Sequence, residues 1–380
     1  MKTLGWFVLV LLIINRWSRE ASSTISSSSS SSSSGAVVAE AMFVFGDSLS
    51  DPGNNNALLT LAKGDFPPYG IDFPGGVTGR ICNGLIGPDH LGNMLGLGLI
   101  PAFQNPNTKG SNILKGVNFA SSAAGILDES GAFLGKRWTL DQQIEQFATK
   151  TLPELRSQAL RSKEGNKELT VDEFLAKSLF YSNVGSNDFI NYVVRNYKDV
   201  EAYIDWLISK HTRQLKELYQ LGGRKFLIFG LAPMGCLPMA ILLFNKNAPD
   251  DCSEQLNQII RRWNTKLTEL IQQLNHNHSG EGAGTYFLYF DIYNAFLQVT
   301  NNPSLYGFKE VRSACCGAGL LHSELLCMTG KAPVCSNRSE YVFWDSFHPT
   351  ELMYGILIRQ AFDGTLQNTF PKNVQQLFQF

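Results

Sequence analysis

The stretch Met42-Phe43-Val44-Phe45-Gly46-Asp47-Ser48-Leu49-Ser50-Asp51-Pro52-Gly53-Asn54-Asn55-Asn56 decides how the chain is read. An apolar run with strand character breaks off at a cluster of small, turn-forming residues, and a serine sits at the break. A chain leaving a buried strand there presents its next residues at the carboxyl end of a sheet, where open α/β folds place their ligands. Gly46 permits a tight backbone, and Asp51, Gly53 and Asn54 suit the next turn. Ser48 thus stands where a nucleophile would. A serine capping a helix after an ordinary strand-to-helix turn has the same local signature, so this stretch alone leaves both readings open.

A second stretch lies some three hundred residues away. Tyr341-Val342-Phe343-Trp344 is another short apolar run, and Asp345-Ser346-Phe347-His348-Pro349-Thr350 comes directly after it. Aspartate and histidine three apart can lie on one side of a single turn. The carboxylate then holds one ring nitrogen while the other faces outward. A serine needs such a base, because a hydroxyl is a poor nucleophile until its proton is taken.

Together these residues resemble the plant GDSL esterase/lipase family, a branch of the SGNH hydrolases. The resemblance spans roughly residues 41–362 and is carried by four blocks in order. The first runs from Phe45 to Asn55. Gly116-Val117-Asn118-Phe119-Ala120-Ser121-Ser122-Ala123-Ala124-Gly125 is similar to the second, Gly185-Ser186-Asn187-Asp188 to the third, and Asp345 to Thr350 to the last. The Gly-x-Ser-x-Gly elbow of the larger α/β-hydrolase fold is absent around Ser48. The resemblance implies a three-layer α/β/α, flavodoxin-like fold with a central parallel sheet of about five strands. It also implies cofactor-independent hydrolysis of lipid, acyl or acetyl esters through an acyl-enzyme on Ser48. His348 would be the base and Asp345 would orient it. The implied oxyanion donors are the backbone N–H of Ser48, a backbone N–H at Ala123, and the side-chain amide of Asn187. Here the chain departs from many members, since alanine stands where the second block usually has glycine; a backbone N–H survives this if the turn tolerates a Cβ. Asp188 reads as structural, capping the helix after it. Two rivals stay open: an acyltransferase using the same acyl-enzyme, and a catalytically idle binding protein on this fold.

Composition bounds the rest. The 380 residues are 44% hydrophobic and 17% charged, with a formal net charge of −1. That allows a large core and offers no basic footprint for nucleic acid. Lys2 and then the apolar residues 4–14 read as a secretory signal, too short to span a bilayer. An N-terminal anchor shares these features. The expected organisation is a signal at 1–21, a serine-rich disordered segment at 22–40, and a single domain at 41–380 with no integral membrane segment. This implies a secreted, extracellular protein with a small-molecule ester as its partner. Of the seven cysteines, Cys236, Cys252, Cys315, Cys316, Cys327 and Cys335 lie towards the C-terminus. The expectation for an exported chain is a Cys236–Cys252 bridge, Cys315 and Cys316 paired among Cys327 and Cys335, and Cys82 left over. Asn277-His278-Ser279 and Asn337-Arg338-Ser339 are N-glycosylation acceptors.

Along the chain, residues 41–45, 116–121, 178–184, 225–230 and 286–291 read as strands. Helical stripes run through Ile204, Leu207, Ile208, Leu215 and Leu218, and through Leu256, Ile259, Ile260, Trp263, Leu267, Leu270, Ile271 and Leu274. Strands alternating with helices mean a parallel sheet covered on both faces. The Gly-, Pro- and Asn-rich segment 58–107 reads as loops around one short helix near Asp89. His90, His211, His276, His278 and His322 lack metal-ligand spacing, and neither a phosphate loop nor a dinucleotide fingerprint is present.

Overall fold

In the computed structural model, residues 39–163, 165–278, 284–328 and 331–378 are described. The expected signal at 1–21 and most of the serine-rich segment expected at 22–40 lie outside these residues. Ala39 and Glu40, counted with that segment from sequence, are buried in the fold; Glu40 accepts hydrogen bonds from the Ser162 hydroxyl and the Lys163 N–H.

The sheet is built from β1 (Met42–Gly46), β2 (Leu179–Asn183), β3 (Lys225–Phe229) and β4 (Tyr286–Phe290), paired in parallel in that order. These strands are apolar almost throughout because both faces are covered. Phe43, Phe45, Phe180, Phe226, Ile228, Phe287 and Tyr289 pack on one side, with the helices Val200–Gln220 and Glu254–His278. Met42, Val44, Tyr181, Leu227, Phe229, Leu288 and Phe290 pack on the other, with the helices Gly87–Met94, Ile292–Asn301 and Glu351–Asp363. This period-two alternation is what produces the three layers.

Two further strands lie apart. Glu310–Ala314 (β5) and Tyr341–Phe343 (β6) form their own parallel two-stranded ribbon. A two-residue strand, Thr369–Phe370 (β7), closes the main sheet antiparallel to β4. The fifth strand is therefore this antiparallel edge. Residues 116–121, expected as a strand, run parallel along the free side of β1: Val44 N–H donates to Val117 O at 3.0 Å, and Phe119 N–H to Val44 O at 2.8 Å. They fall short of a regular strand, and Gly116 has φ +104° at their start.

Three disulfides staple the loops: Cys236–Cys252, Cys315–Cys335 and Cys316–Cys327, with Cys82 free and buried. The last two brace the β5–β6 ribbon, where Cys315 and Cys316 N–H groups donate to Phe343 O and Trp344 O at 2.9 and 2.7 Å. Among the described residues, no helix is long and apolar enough to cross a membrane.

Candidate active site

Ser48 lies two residues beyond β1. No helix begins here, so Ser48 is not a helix cap. The strand end is fixed from beside it. Gln143, buried on the helix Leu140–Gln146, accepts from Gly46 N–H at 2.9 Å and donates to Gly46 O at 2.9 Å. A Cβ at Gly46 would lie 2.6 Å from Asn183 O, so only glycine fits this crossing.

The residues after Ser48 tie the first block to the second. The Asp51 carboxylate accepts from Gly53 and Asn54 N–H at 2.8 and 2.6 Å, and from the N–H and hydroxyl of Ser122, both at 2.8 Å. Asn54 Nδ2 donates to Asn118 O and Ala120 O, and Asn55 Nδ2 to Ser122 O. Asp51 and Asn54, turn formers by sequence, also clamp a segment nearly seventy residues away.

The ribbon delivers the second half of the site. Beyond β6, Trp344 N–H donates to His348 O at 2.8 Å, closing a tight loop over Asp345–His348. Within it, Asp345 Oδ1 accepts from Phe347 and His348 N–H at 2.9 and 2.8 Å, which folds the three-residue spacing back on itself. Asp345 Oδ1 also lies 2.8 Å from His348 Nδ1, and Oδ2 lies 3.0 Å from it. With Nδ1–H directed at the carboxylate, Nε2 is left to accept; it lies 2.8 Å from Ser48 Oγ. Ser48, His348 and Asp345 are thus brought into one hydrogen-bonded line from opposite ends of the chain. Burial alone would raise the Asp345 pKa. The neighbouring His348 charge and these hydrogen bonds outweigh it and hold the carboxyl below its ordinary 3.8.

Asn187 is tied to the second block at Ala124, next to Ala123. Ala123 is buried at φ +69°, the left-handed region that favours glycine, so the turn tolerates the Cβ under strain. Asn187 stands in the first turn of the helix Ser186–Val194, and its Nδ2 donates one hydrogen to Ala124 O at 2.9 Å. That bond orients the amide and, among the described residues, leaves its second hydrogen uncommitted. Among the described residues, the N–H groups of Ser48 and Ala123 have no protein acceptor. Asp188 does not cap its helix, whose N-cap position is Gly185. It reaches to the segment just after the second block instead, accepting from Ile126 and Leu127 N–H and from the Ser130 hydroxyl at 2.8, 2.9 and 2.7 Å. Burial lifts its pKa to about 6 against those bonds. Asp47 is likewise buried, and its pKa is raised from 3.8 to about 7, chiefly by desolvation.

One contact has no signal in sequence. The Tyr69 hydroxyl donates to Asp345 Oδ2 at 2.9 Å across 276 positions. Tyr69 sits in the Pro67-Pro68-Tyr69-Gly70 run, which by composition is only a turn. Asn277 and Asn337, the candidate glycan acceptors, are both exposed. Among the described residues, no group of three His, Cys, Asp or Glu side chains could hold a metal ion.

Comparison with known proteins points to one family. The family model described as GDSL-like lipase/acylhydrolase matches residues 42–360. Two Arabidopsis thaliana proteins are similar over most of their length. GDSL esterase/lipase At1g71691 is 41% identical over 90% of this chain and 86% of its own. GDSL esterase/lipase At1g71250 is 42% identical over 89% and 88%. A solved Geobacillus acetyl-xylooligosaccharide esterase is similar at TM-score 0.31 and 10% identity, over 70% of this chain and 81% of that one. With a family model across most of its length and relatives near 40% identity, the chain belongs to the GDSL-like lipase/acylhydrolase family.

Proposed function

We propose that the chain is a serine ester hydrolase acting through an acyl-enzyme on Ser48. The observation that carries this reading is the line Ser48 Oγ to His348 Nε2 to Asp345, at 2.8 Å for each link. Ser48 Oγ attacks the ester carbonyl as His348 Nε2 takes its proton. Asp345 stabilises the imidazolium that results. The carbonyl oxygen gains negative charge, which the N–H groups of Ser48 and Ala123 and the free Asn187 hydrogen would receive. Collapse of the adduct breaks the ester C–O bond, and His348 returns the proton to the departing alcohol. Water, deprotonated in turn by His348, then releases the acid and restores Ser48. Ser48 and His348 are partly exposed, so water reaches the site.

The exported location belongs to the same reading. It is supported by three disulfides, which persist in oxidising compartments. N-glycans at Asn277 and Asn337 are proposed with it. The test is labelling with a fluorophosphonate probe, comparing wild type with Ser48→Ala. Labelling confined to wild type, with release of acid from short-chain esters, is the expected result. Absence of labelling in folded wild type would overturn the hydrolase reading.

A further inference from the structure

We propose that Tyr69 is a positioning residue of the catalytic apparatus, acting on the base through Asp345. This rests on the hydrolase reading above. Asp345 is 5% exposed, and its Oδ1 is occupied by two backbone N–H groups and by His348 Nδ1. For Oδ2, the hydroxyl of Tyr69 at 2.9 Å is the closer partner, since His348 Nδ1 lies 3.0 Å away and already faces Oδ1. Without that hydroxyl, one oxygen of a buried carboxylate keeps only a shared contact, and the carboxylate plane loses a point of fixation.

The hydroxyl is held as firmly as the groups it serves. The Tyr69 ring is 7% exposed and packs edge-on to Trp344 at 6.2 Å and to Phe66 at 5.3 Å. Trp344 is the residue before Asp345, so ring and carboxylate are positioned by the same wall. The loop beyond is pinned by Gly70 N–H on Cys82 O at 2.8 Å and Asp72 N–H on Asn83 O at 2.7 Å. Burial first, and then the Asp345 charge, raise the Tyr69 pKa well above 10, so the phenol stays a donor across the working range.

This arrangement has a kinetic meaning. As the imidazolium forms, Asp345 must present its charge to Nδ1 without turning. A donor on Oδ2 fixes the plane and also draws off part of the charge. Other titratable groups facing Asp345 are the Cys82 thiol and the Tyr354 phenol, both raised by burial and therefore neutral near pH 7. Asp47, which interacts with His348, titrates at about 7.

The experiment is Tyr69→Phe, which keeps the ring, beside Phe66→Leu, which loosens the ring and keeps the hydroxyl. Rates are measured against pH on one ester, in wild type and in the Asp47→Asn background so that Asp47 titration is separated. For Tyr69→Phe, kcat is expected to fall about tenfold with KM unchanged, and the acidic limb to move up by roughly half a unit, because a less-solvated carboxylate holds the imidazolium more tightly. Phe66→Leu is expected to lower the melting temperature and leave the limb in place. If Tyr69→Phe does not fold, replacing tyrosine throughout by 3-fluorotyrosine, a stronger donor, should move the limb down by a few tenths. A fluorophosphonate-reactive wild type whose Tyr69→Phe variant keeps its limb, or whose fluorinated form keeps it, overturns the proposal. An unreactive wild type fails the hydrolase reading instead.

Discussion

Asp47 immediately precedes Ser48 and is buried at 1% exposure, with one carboxylate oxygen accepting from Leu49 N–H at 3.0 Å and the other without a partner among the described residues. Desolvation raises its pKa from 3.8 to about 7. An acid raised in this way binds more protons folded than unfolded between the two values. Its contribution to stability is therefore fully present below about 3.8 and is lost as pH rises through about 7, the reverse of a salt-bridged aspartate. A rise of about three units at about 1.4 kcal/mol each puts the loss on the order of 4 kcal/mol. Asp47→Asn keeps the shape and the acceptor for Leu49 while removing the titration. With an unfolding entropy of about 2.1 cal/mol/K per residue, 4 kcal/mol corresponds to roughly 5 °C in a fold of this length. The gap between variant and wild-type melting temperatures should therefore widen in the variant's favour by about that much from pH 4 to pH 7, then level off. Scanning calorimetry at matched scan rates measures it, and taking the difference cancels groups not coupled to Asp47. Parallel curves from pH 4 to pH 8 would refute the reasoning, placing the charge of Asp47 in a far better solvated setting than its burial implies.

Asn187→Ala should lower kcat by about 10²–10³ with little change in KM, since the amide is assigned to the developing oxyanion rather than to substrate binding; steady-state kinetics showing less than a threefold loss would remove it from that role. Reduction of the disulfides should act first on the ribbon, because Cys315 and Cys316 brace Phe343 and Trp344 whereas the main sheet carries no bridge. Dithiothreitol is therefore expected to abolish fluorophosphonate labelling before it alters the far-ultraviolet circular dichroism; simultaneous loss of both signals would contradict this division.

The parts of the fold legible in sequence are those whose pattern is local. The four parallel strands announce themselves because each is apolar on both faces, and the stripe through Leu256, Trp263 and Leu270 lies at one helical spacing. Thr369–Phe370 is invisible there, because two residues before a proline carry no periodicity. Tyr341–Phe343 reads correctly as an apolar run of strand type, but its partner, Glu310–Ala314, is a half-buried segment containing Glu310 and Arg312, which does not look like a strand. At the site, the Asp345–His348 pair is legible because three residues suffice to close its turn. That Ser48 meets His348 is implied only by the resemblance to a family, since no spacing joins positions 300 apart. Tyr69 is illegible for the same physical reason: its partner is chosen by tertiary packing, and its own neighbours say only that the chain bends there. Asp188 looks like a cap because helix starts attract carboxylates, but the N–H groups of residues 126 and 127, which it satisfies, have the stronger claim on it.

Ser48 stands just beyond β1, and Asp345 and His348 stand in a loop closed only after the seventh cysteine has been made. During synthesis Ser48 is thus made long before the histidine it meets in the fold. A chain stopped anywhere between residues 290 and 345 contains all four parallel strands and still lacks His348, the hydrogen-bond partner of the Ser48 hydroxyl. On the hydrolase reading proposed above, catalytic competence is therefore a report on completeness: a reactive serine would certify that translation has passed His348 and that both ends of the fold have found each other.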